Sequence, residues 1–284
     1  MDKIKSLVQA RKEFATQEAC EAHLIEMRWP NGVECPRCGS REVTRLSTRK
    51  KWQCRECRYQ FSVTAGTIFH KTYVDLPRWM MAVWLMCNSP KGCSSKQLER
   101  TLGVTYKTAW YMTHRIRHAM INDQLGVKLS GIIEIDDAVV KADGGKATGN
   151  TPRNAKNVLG MASRDGDIKL QIINRPSFEE IRCVVAENVE YVKAFYTDGH
   201  PAYRMMHELG PHQYVVHQKQ WIDGEVHVNY VENAWSLFKR GLVGIFHHVS
   251  TKYLQDYLDE FTFRYRHRHE KPRLMDLVLA SCAL

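Results

Sequence analysis

Cys35-Pro-Arg-Cys38-Gly and Cys54-Arg-Glu-Cys57 form two tight cysteine pairs with fifteen residues between them. This is the spacing of a zinc ribbon, in which two short knuckles each present two thiolates to one tetrahedral Zn²⁺. Tight turns are needed just past the knuckles, where Gly39 and Arg58 stand. A module this small has no core of its own, so the ion supplies its folding energy. Four thiolates fill the coordination sphere and leave this zinc no open position for chemistry. The ribbon therefore reads as a structural recognition module, and catalysis is to be sought elsewhere. The other five cysteines (Cys20, Cys87, Cys93, Cys183, Cys282) are scattered. They read as core or neutral surface residues in a reducing compartment.

The chain has 284 residues, 44% of them hydrophobic, enough for a sizeable core. No apolar run reaches the length of a membrane span, and Met1-Asp-Lys-Ile-Lys-Ser lacks a signal-peptide apolar segment. The expectation is a cytoplasmic, nucleoid-associated protein with no membrane partner. A net charge of +10 favours a polyanion, either nucleic acid or an anionic membrane surface.

Helical spacing predicts a helix over residues 13–29, capped by Thr16 and stopped by Trp29-Pro30-Asn31-Gly32. After the ribbon, Leu76 to Met86 is strongly apolar and reads as a buried helix. Ser94 or Ser95 then caps a short helix, Gly103 makes the turn, and Thr105 caps a second helix running to about His118. This is helix-turn-helix grammar. The second helix carries Tyr106, Lys107, Tyr111, His114, Arg115, Arg117 and His118 around an Ala109/Met112/Ile116 stripe. A basic, aromatic helix suits the major groove and its flanking phosphates, with Tyr106, Lys107, Tyr111 and Arg115 as the candidate DNA contacts.

After Asp123 the texture changes to strands and helices. Strands are expected at Gly131–Val140, Val158–Ala162, Ile168–Ile173, Tyr191–Tyr196 and Gln213–Val216, with Arg164-Asp-Gly-Asp as a hairpin turn. Helices are expected at 178–187, from about Pro201 to Leu209, and from Asn229 onward. The order β-β-β-α-β-α-β-α fits an α/β fold, a ribonuclease H-like mixed sheet with helices on both faces. The expected domains are an N-terminal helix (1–30), the ribbon (31–66), a helix-turn-helix segment (67–124) and a catalytic domain with a basic C-terminal helix (125–284). Lys141 to Arg153 reads as a flexible piece.

Three acids stand where such a sheet converges. Asp136 ends the first strand, Asp198 ends the fourth, and Glu232 lies on the last long helix. First and fourth strands are neighbours in a ribonuclease H-like sheet, so the two aspartates meet. Like charges at short range repel, and a hard divalent cation, Mg²⁺ or Mn²⁺, relieves that repulsion. Asn229 and Lys239 share the helix face of Glu232, and a lysine there suits a substrate phosphate. Asp137 points to the opposite face. Glu134 shares the face of Asp136; a structural role is favoured for it, with a metal contact as the alternative.

With these residues in view, the chain resembles the bacterial ISXO-like DDE transposases, related to the eukaryotic Merlin transposases. The resemblance runs over nearly the whole chain. It is carried by Phe14-Ala-Thr-Gln-Glu-Ala-Cys, Arg28-Trp-Pro-Asn-Gly, Phe61-Ser-Val-Thr-Ala-Gly-Thr-Ile-Phe, Ile133-Glu-Ile-Asp-Asp, Tyr196-Thr-Asp-Gly-His, the block from His227 to Gly241, and Phe246 to Tyr265. The family pattern of Asp, Asp, Asn or Glu, then Lys implies Asp136, Asp198, Asn229 or Glu232, and Lys239. Both third residues are present, and Glu232 is favoured because a carboxylate binds a hard cation better than an amide. The residue after the first Asp is usually Glu in the family and is Asp137 here. The resemblance implies binding of double-stranded terminal inverted repeats, two-metal strand cleavage, transfer of the 3′-hydroxyl end to target DNA, and a homodimer or larger assembly on DNA. Lys141–Arg153, Lys239-Arg240 and Arg264–Arg273 would line the phosphate path. The alternatives are a catalytically silent DNA-binding regulator and another ribonuclease H-like nuclease.

Overall fold

Helix α1 (Leu7–Glu13) starts at Ser6, whose hydroxyl accepts from the Gln9 amide, and buries Ala10. Helix α2 (Gln17–Arg28) starts at Thr16, whose hydroxyl accepts from the Ala19 amide at 3.2 Å. These bonds each satisfy one of the amides that a helix start leaves open. Strands β1 (Val43–Leu46), β2 (Lys51–Cys54) and β3 (Gln60–Phe61) form the antiparallel ribbon sheet, in that order. Then follow α3 (Leu76–Asn88), α4 (Ser95–Leu102) and α5 (Tyr106–Asn122). Trp79, Met80, Val83 and Met86 of α3 are fully buried, as its apolar sequence demands. The protein is seen here as a computed structural model, which describes residues 4, 6–122, 124–141, 155–216, 224–269 and 274–282.

The second part is built on a five-stranded sheet. Its strands are β4 (Leu129–Lys141), β5 (Ala155–Ser163), β6 (Ile168–Ile173), β7 (Val189–Asp198) and β8 (His212–Val215), in the order β6-β5-β4-β7-β8. Pairing is antiparallel for β4/β5 and β5/β6, and parallel for β4/β7 and β7/β8. This is the ribonuclease H-like mixed sheet. Helix α6 (Phe178–Asn188) covers one face through Ile181, Val184 and Val185, which pack with Ile133, Ile135, Leu159, Met161 and Phe195. Helices α7 (Asn229–Gly241) and α8 (Leu254–Arg266) cover the other, where Val231, Trp235, Phe238, Leu254 and Leu258 meet Val140, Val158, Ala162 and Leu170. The parity is strict: odd-numbered residues of β4 face α6 and even-numbered ones face α7, as strand alternation requires. At the β6 edge, the Gln255 side chain accepts from the Ile172 amide and donates to the Leu170 carbonyl at 3.0 and 2.9 Å. It thereby occupies a strand edge that would otherwise stay open.

Gly160 sets how closely α7 lies on the sheet. A Cβ there would sit 2.6 Å from Cζ2 of Trp235 and 2.8 Å from Cγ2 of Val231. Gly160 is also the cross-strand partner of Asp136.

Three expectations change. Residues 201–209 form two 3₁₀ turns, Pro201–Tyr203 and Met206–Glu208, rather than one α-helix. Tyr203 and Met206, three apart, both enter the core, which suits three residues per turn. Helix α1 has no counterpart in the sequence reading. The last helix, α9 (Leu274–Ala280), falls with residues 1–123 in one compact unit, the other being Gln124–His269. The backbone amide of Ile68 donates to the Cys282 carbonyl at 3.0 Å, tying the segment after α9 to the exit of the ribbon. The stretch 142–154, read as flexible and basic, lies outside the described residues.

Candidate active site

Asp136 and Asp198 are brought together by parallel register. The β4/β7 pairing runs through Glu134↔Tyr196 and Ile135↔Thr197, so the next step sets Asp136 beside Asp198. Both lie on the α7 face, because they share parity with Glu134 and Tyr196. Helix α7 supplies Glu232 from its first turn. The Asp136 carboxyl is pushed up to about 7, first by burial and then by the neighbouring charges of Asp198, Asp137 and Glu232. A buried carboxyl beside other acids has the electrostatics that a divalent cation would relieve. Asn229 opens α7 and is exposed, and Lys239 is exposed about two turns beyond Glu232. The donors are all hard oxygens, which fits Mg²⁺ or Mn²⁺.

Asp198 is held by its own turn, its Oδ1 accepting from the His200 amide at 2.9 Å. Beside it opens a cavity of about 360 Å³ lined by Gly199, His200, Tyr203, Arg204, His212 and Tyr214. Asp137 points to the opposite face, as alternation predicts, and accepts from the buried Tyr203 hydroxyl at 2.7 Å. That contact leaves Asp136, not Asp137, on the face of Glu232.

Glu134 is wholly buried. Its Oε2 accepts from the Tyr230 amide at 2.7 Å and the Val231 amide at 3.4 Å, so it clamps the N-terminal turn of α7. Its Oε1 meets Nε of Arg164 at 3.4 Å and Nδ1 of His227 at 3.1 Å. Burial pushes this carboxyl up, opposed by the two amides and Arg164. Burial and Arg164 hold His227 below its ordinary range, so the ring is neutral near pH 7. Nη2 of Arg164 lies 3.0 Å from Nε2 of His227. The Nδ1 atom of the same ring faces both Oε1 of Glu134 at 3.1 Å and the Asn229 amide at 3.4 Å. Sequence reading favoured a structural role for Glu134 but missed Arg164 and His227. The available signal was an acid inside an apolar strand, which requires buried donors.

The four ribbon cysteines have their sulfurs within 4.8 Å of one another. Cys35 and Cys57 are 3.6 Å apart, as are Cys38 and Cys54. Tetrahedral Zn–S bonds of about 2.3 Å place sulfurs about 3.8 Å apart, so the cluster fits zinc. Gly39 and Arg58 have φ of 73° and 57°, the left-handed turns expected after each knuckle. The knuckles repeat one pattern: the Cys35 amide donates to Ser40 and the Cys54 amide to Tyr59, at 2.9 and 3.0 Å. Among the described residues this is the one such group of candidate metal ligands.

Comparison with known proteins decides the family. The ISXO2-like transposase domain matches residues 128–266, and the transposase zinc-ribbon domain matches residues 15–60. The chain belongs to the ISXO2-like transposases. An uncharacterized protein in transposable element ISH50 of Halobacterium salinarum is 29% identical to this transposase, over 89% of this chain and 92% of its own. Among solved structures, the Mos1 transposase paired-end complex with left transposon end is 13% identical, with a TM-score of 0.28, and spans 66% of this chain and 74% of that one. A pre-cleavage Mos1 transpososome gives 12%, 0.27, 67% and 74%. Among the described residues of the transposase, no helix is long and apolar enough to cross a membrane.

The helix-turn-helix candidates divide. Ser94 caps α4 through the Gln97 amide, Gly103 adopts φ of 64° in the turn, and Thr105 accepts from the Thr108 amide. Tyr106, Lys107 and Tyr111 are exposed on α5. Arg115 is not available in the same way. Its Nη1 donates to the carbonyls of Ile68 and His70 at 2.5 and 2.7 Å, and its guanidinium lies over the Tyr111 ring. His114 and Arg117, counted with the basic face from sequence, are buried. On α8, Arg264 is paired with buried Glu260 at 2.6 Å, and Arg268 donates to the Gly166 and Tyr265 carbonyls. Both are engaged within the fold.

Proposed function

We propose that this transposase binds the terminal inverted repeats of its element and cuts and transfers DNA strands at Asp136, Asp198 and Glu232. Two Mg²⁺ or Mn²⁺ ions held there would activate a water or 3′-hydroxyl and stabilise the leaving oxygen. The observation that carries the reading is the parallel β4/β7 register beneath α7, which puts Asp136 beside Asp198 near Glu232, where burial first and the neighbouring acids next push the Asp136 carboxyl up to about 7. Glu232 is preferred to Asn229 as the third ligand, and Lys239, on the same helix face, is assigned to a substrate phosphate. Zinc at Cys35, Cys38, Cys54 and Cys57 keeps the ribbon folded for end recognition. Tyr106, Lys107 and Tyr111 contact duplex DNA. The working form is a dimer or larger, because two ends must be bridged.

The test is incubation of the purified full chain and Mg²⁺ with a duplex carrying the terminal repeat that flanks its coding region. Cleavage at the repeat boundary, competed by unlabelled repeat and not by an RNA–DNA hybrid, is the expected result. Binding without cleavage would favour a silent regulator, and preference for the hybrid would favour another nuclease.

A further inference from the structure

We propose that Glu134 and Arg164 are positioning residues: the buried Glu134 and the half-buried Arg164 form a layer, one strand period beneath the acids, that fixes the separation of Asp136, Asp198 and Glu232. The proposal rests on the reading of those three as the metal-binding set.

The layer has one member on every acid-bearing element. Glu134 lies two residues before Asp136 on β4, hence on the same face directly beneath it. Tyr196 lies two residues before Asp198 on β7 and is the register partner of Glu134. The amides of Tyr230 and Val231 are those that immediately precede Glu232 on α7, and Glu134 accepts from both. Arg164, from the β5–β6 hairpin, joins the members. Its guanidinium lies 4.9 Å from the centre of the Tyr196 ring, and its Nε faces Glu134 at 3.4 Å. Its Nη2 donates to the Glu225 carbonyl at 2.5 Å and to His227 at 3.0 Å, gripping the chain as it enters α7.

The chemistry explains why the layer is rigid. A carboxylate has acceptor sites for several donors, and Glu134 accepts from three: the Tyr230 and Val231 amides and Arg164 Nε. A planar guanidinium directs its donors along fixed lines, so Arg164 specifies angles as well as distances. Strand register alone fixes Asp136 against Asp198. It does not fix Glu232, whose helix is held above the sheet by packing at Gly160 and by the Glu134 clamp. The clamp acts on the Tyr230 and Val231 amides at the helix start, where Glu232 is, while the Val231 and Trp235 side chains pack on Gly160. Loss of the clamp removes the polar anchor of the first turn while that packing keeps the helix on the sheet, so the third acid shifts.

The experiment compares full-length wild type with Glu134→Gln, Arg164→Lys, Val185→Ala and Asp136→Asn. Val185→Ala truncates the core on the far face and serves as a stability control. Mn²⁺ binding is followed by electron paramagnetic resonance, thermal stability by calorimetry, and cleavage of the terminal-repeat duplex against Mg²⁺ concentration. Glu134→Gln keeps size and one carbonyl acceptor. Its Mn²⁺ affinity is expected to fall about 10- to 100-fold, as for other residues that orient metal ligands, with a matching rise in the Mg²⁺ needed for cleavage. Arg164→Lys should fall in the same direction by less, and Val185→Ala should lower stability with metal affinity unchanged. Wild-type Mn²⁺ affinity in Glu134→Gln overturns the proposal. So does an equal loss of affinity in Val185→Ala, which would make the effect one of stability. If Asp136→Asn keeps Mn²⁺ binding and cleavage, the acid site itself is wrong. If it loses both while Glu134→Gln keeps both, only the positioning layer is wrong.

Discussion

The thiol cluster and the carboxylate cluster organise charge in opposite ways. The four cysteines come from two local turns of identical hydrogen bonding, and their sulfurs already lie at coordination distances. The three carboxylates come from two strands and a helix far apart in sequence, and burial together with the charges of Asp198 and Glu232 raises the Asp136 carboxyl. A closed ligand set makes a metal part of the fold, because so small a module has too little core to hold without it. An open, repelling set leaves the fold intact without metal and makes the ion exchangeable, as a catalytic site needs. The two regions therefore predict two different responses to metal removal.

The largest effect should come from zinc. Stripping it, or changing Cys54 to Ser, should unfold the ribbon, since structural zinc contributes about 10–16 kcal/mol in comparable small modules. Elemental analysis should give one zinc per chain, and circular dichroism should show the loss, while Mg²⁺ removal leaves the spectrum unchanged. A ribbon that stays folded without zinc would break the comparison on one side.

Gly160 tests the other side. A Gly160→Ala chain places a Cβ against Trp235 and Val231, and overpacking of this kind costs about 1–3 kcal/mol. Denaturant unfolding should show it, and the lift of α7 should also weaken Mn²⁺ binding. Unchanged stability would mean that α7 does not rest on the sheet at Gly160.

The proton at Asp136 sharpens the contrast further. Its carboxyl titrates near 7 in the fold and near 3.8 ordinarily, so the folded state holds more protons between those values. Metal-free stability of the catalytic unit should fall as pH rises from 4 to 7. Metal affinity should rise over the upper part of that range, by about tenfold per pH unit below 7, because ion and proton compete for one carboxylate. Calorimetry and metal titration across pH check both signs. Asp136→Asn should flatten both profiles.

The smallest effects separate two basic residues of α5. Arg115→Ala should cost about 1–3 kcal/mol of stability, because it leaves two chain carbonyls without their donor. Lys107→Ala should stay within about 0.5 kcal/mol of wild type. It should weaken end binding and reduce the salt slope by about one ion. Equal stability of the two variants would restore Arg115 as a surface contact.

Legibility in the sequence follows contact range. Thr16, Ser94 and Gly103 announce helix ends because each acts within three or four residues. Gly39 and Arg58 announce knuckles for the same reason. Strand parity separated Asp136 from Asp137 before any coordinates, and strand order put the first strand beside the fourth. What sequence concealed depends on partners far along the chain. Arg115 reaches back 47 residues to Ile68, and Glu134 reaches forward 96 residues to Tyr230. A basic residue on an amphipathic helix looks alike whether it meets phosphate or a buried carbonyl. The short turns at 201–209 were hidden because Tyr203 and Met206 fit the spacing of both helix types.

One measurement bears most directly on the carboxylate site. Purified wild type and Asp136→Asn chains, both zinc-loaded, are given Mg²⁺ and the terminal-repeat duplex, with binding and cleavage read from the same samples. The account predicts equal end binding and cleavage lower by several kcal/mol of barrier, on the order of 10³-fold or more, in Asp136→Asn. Cleavage at the wild-type rate by Asp136→Asn would contradict it.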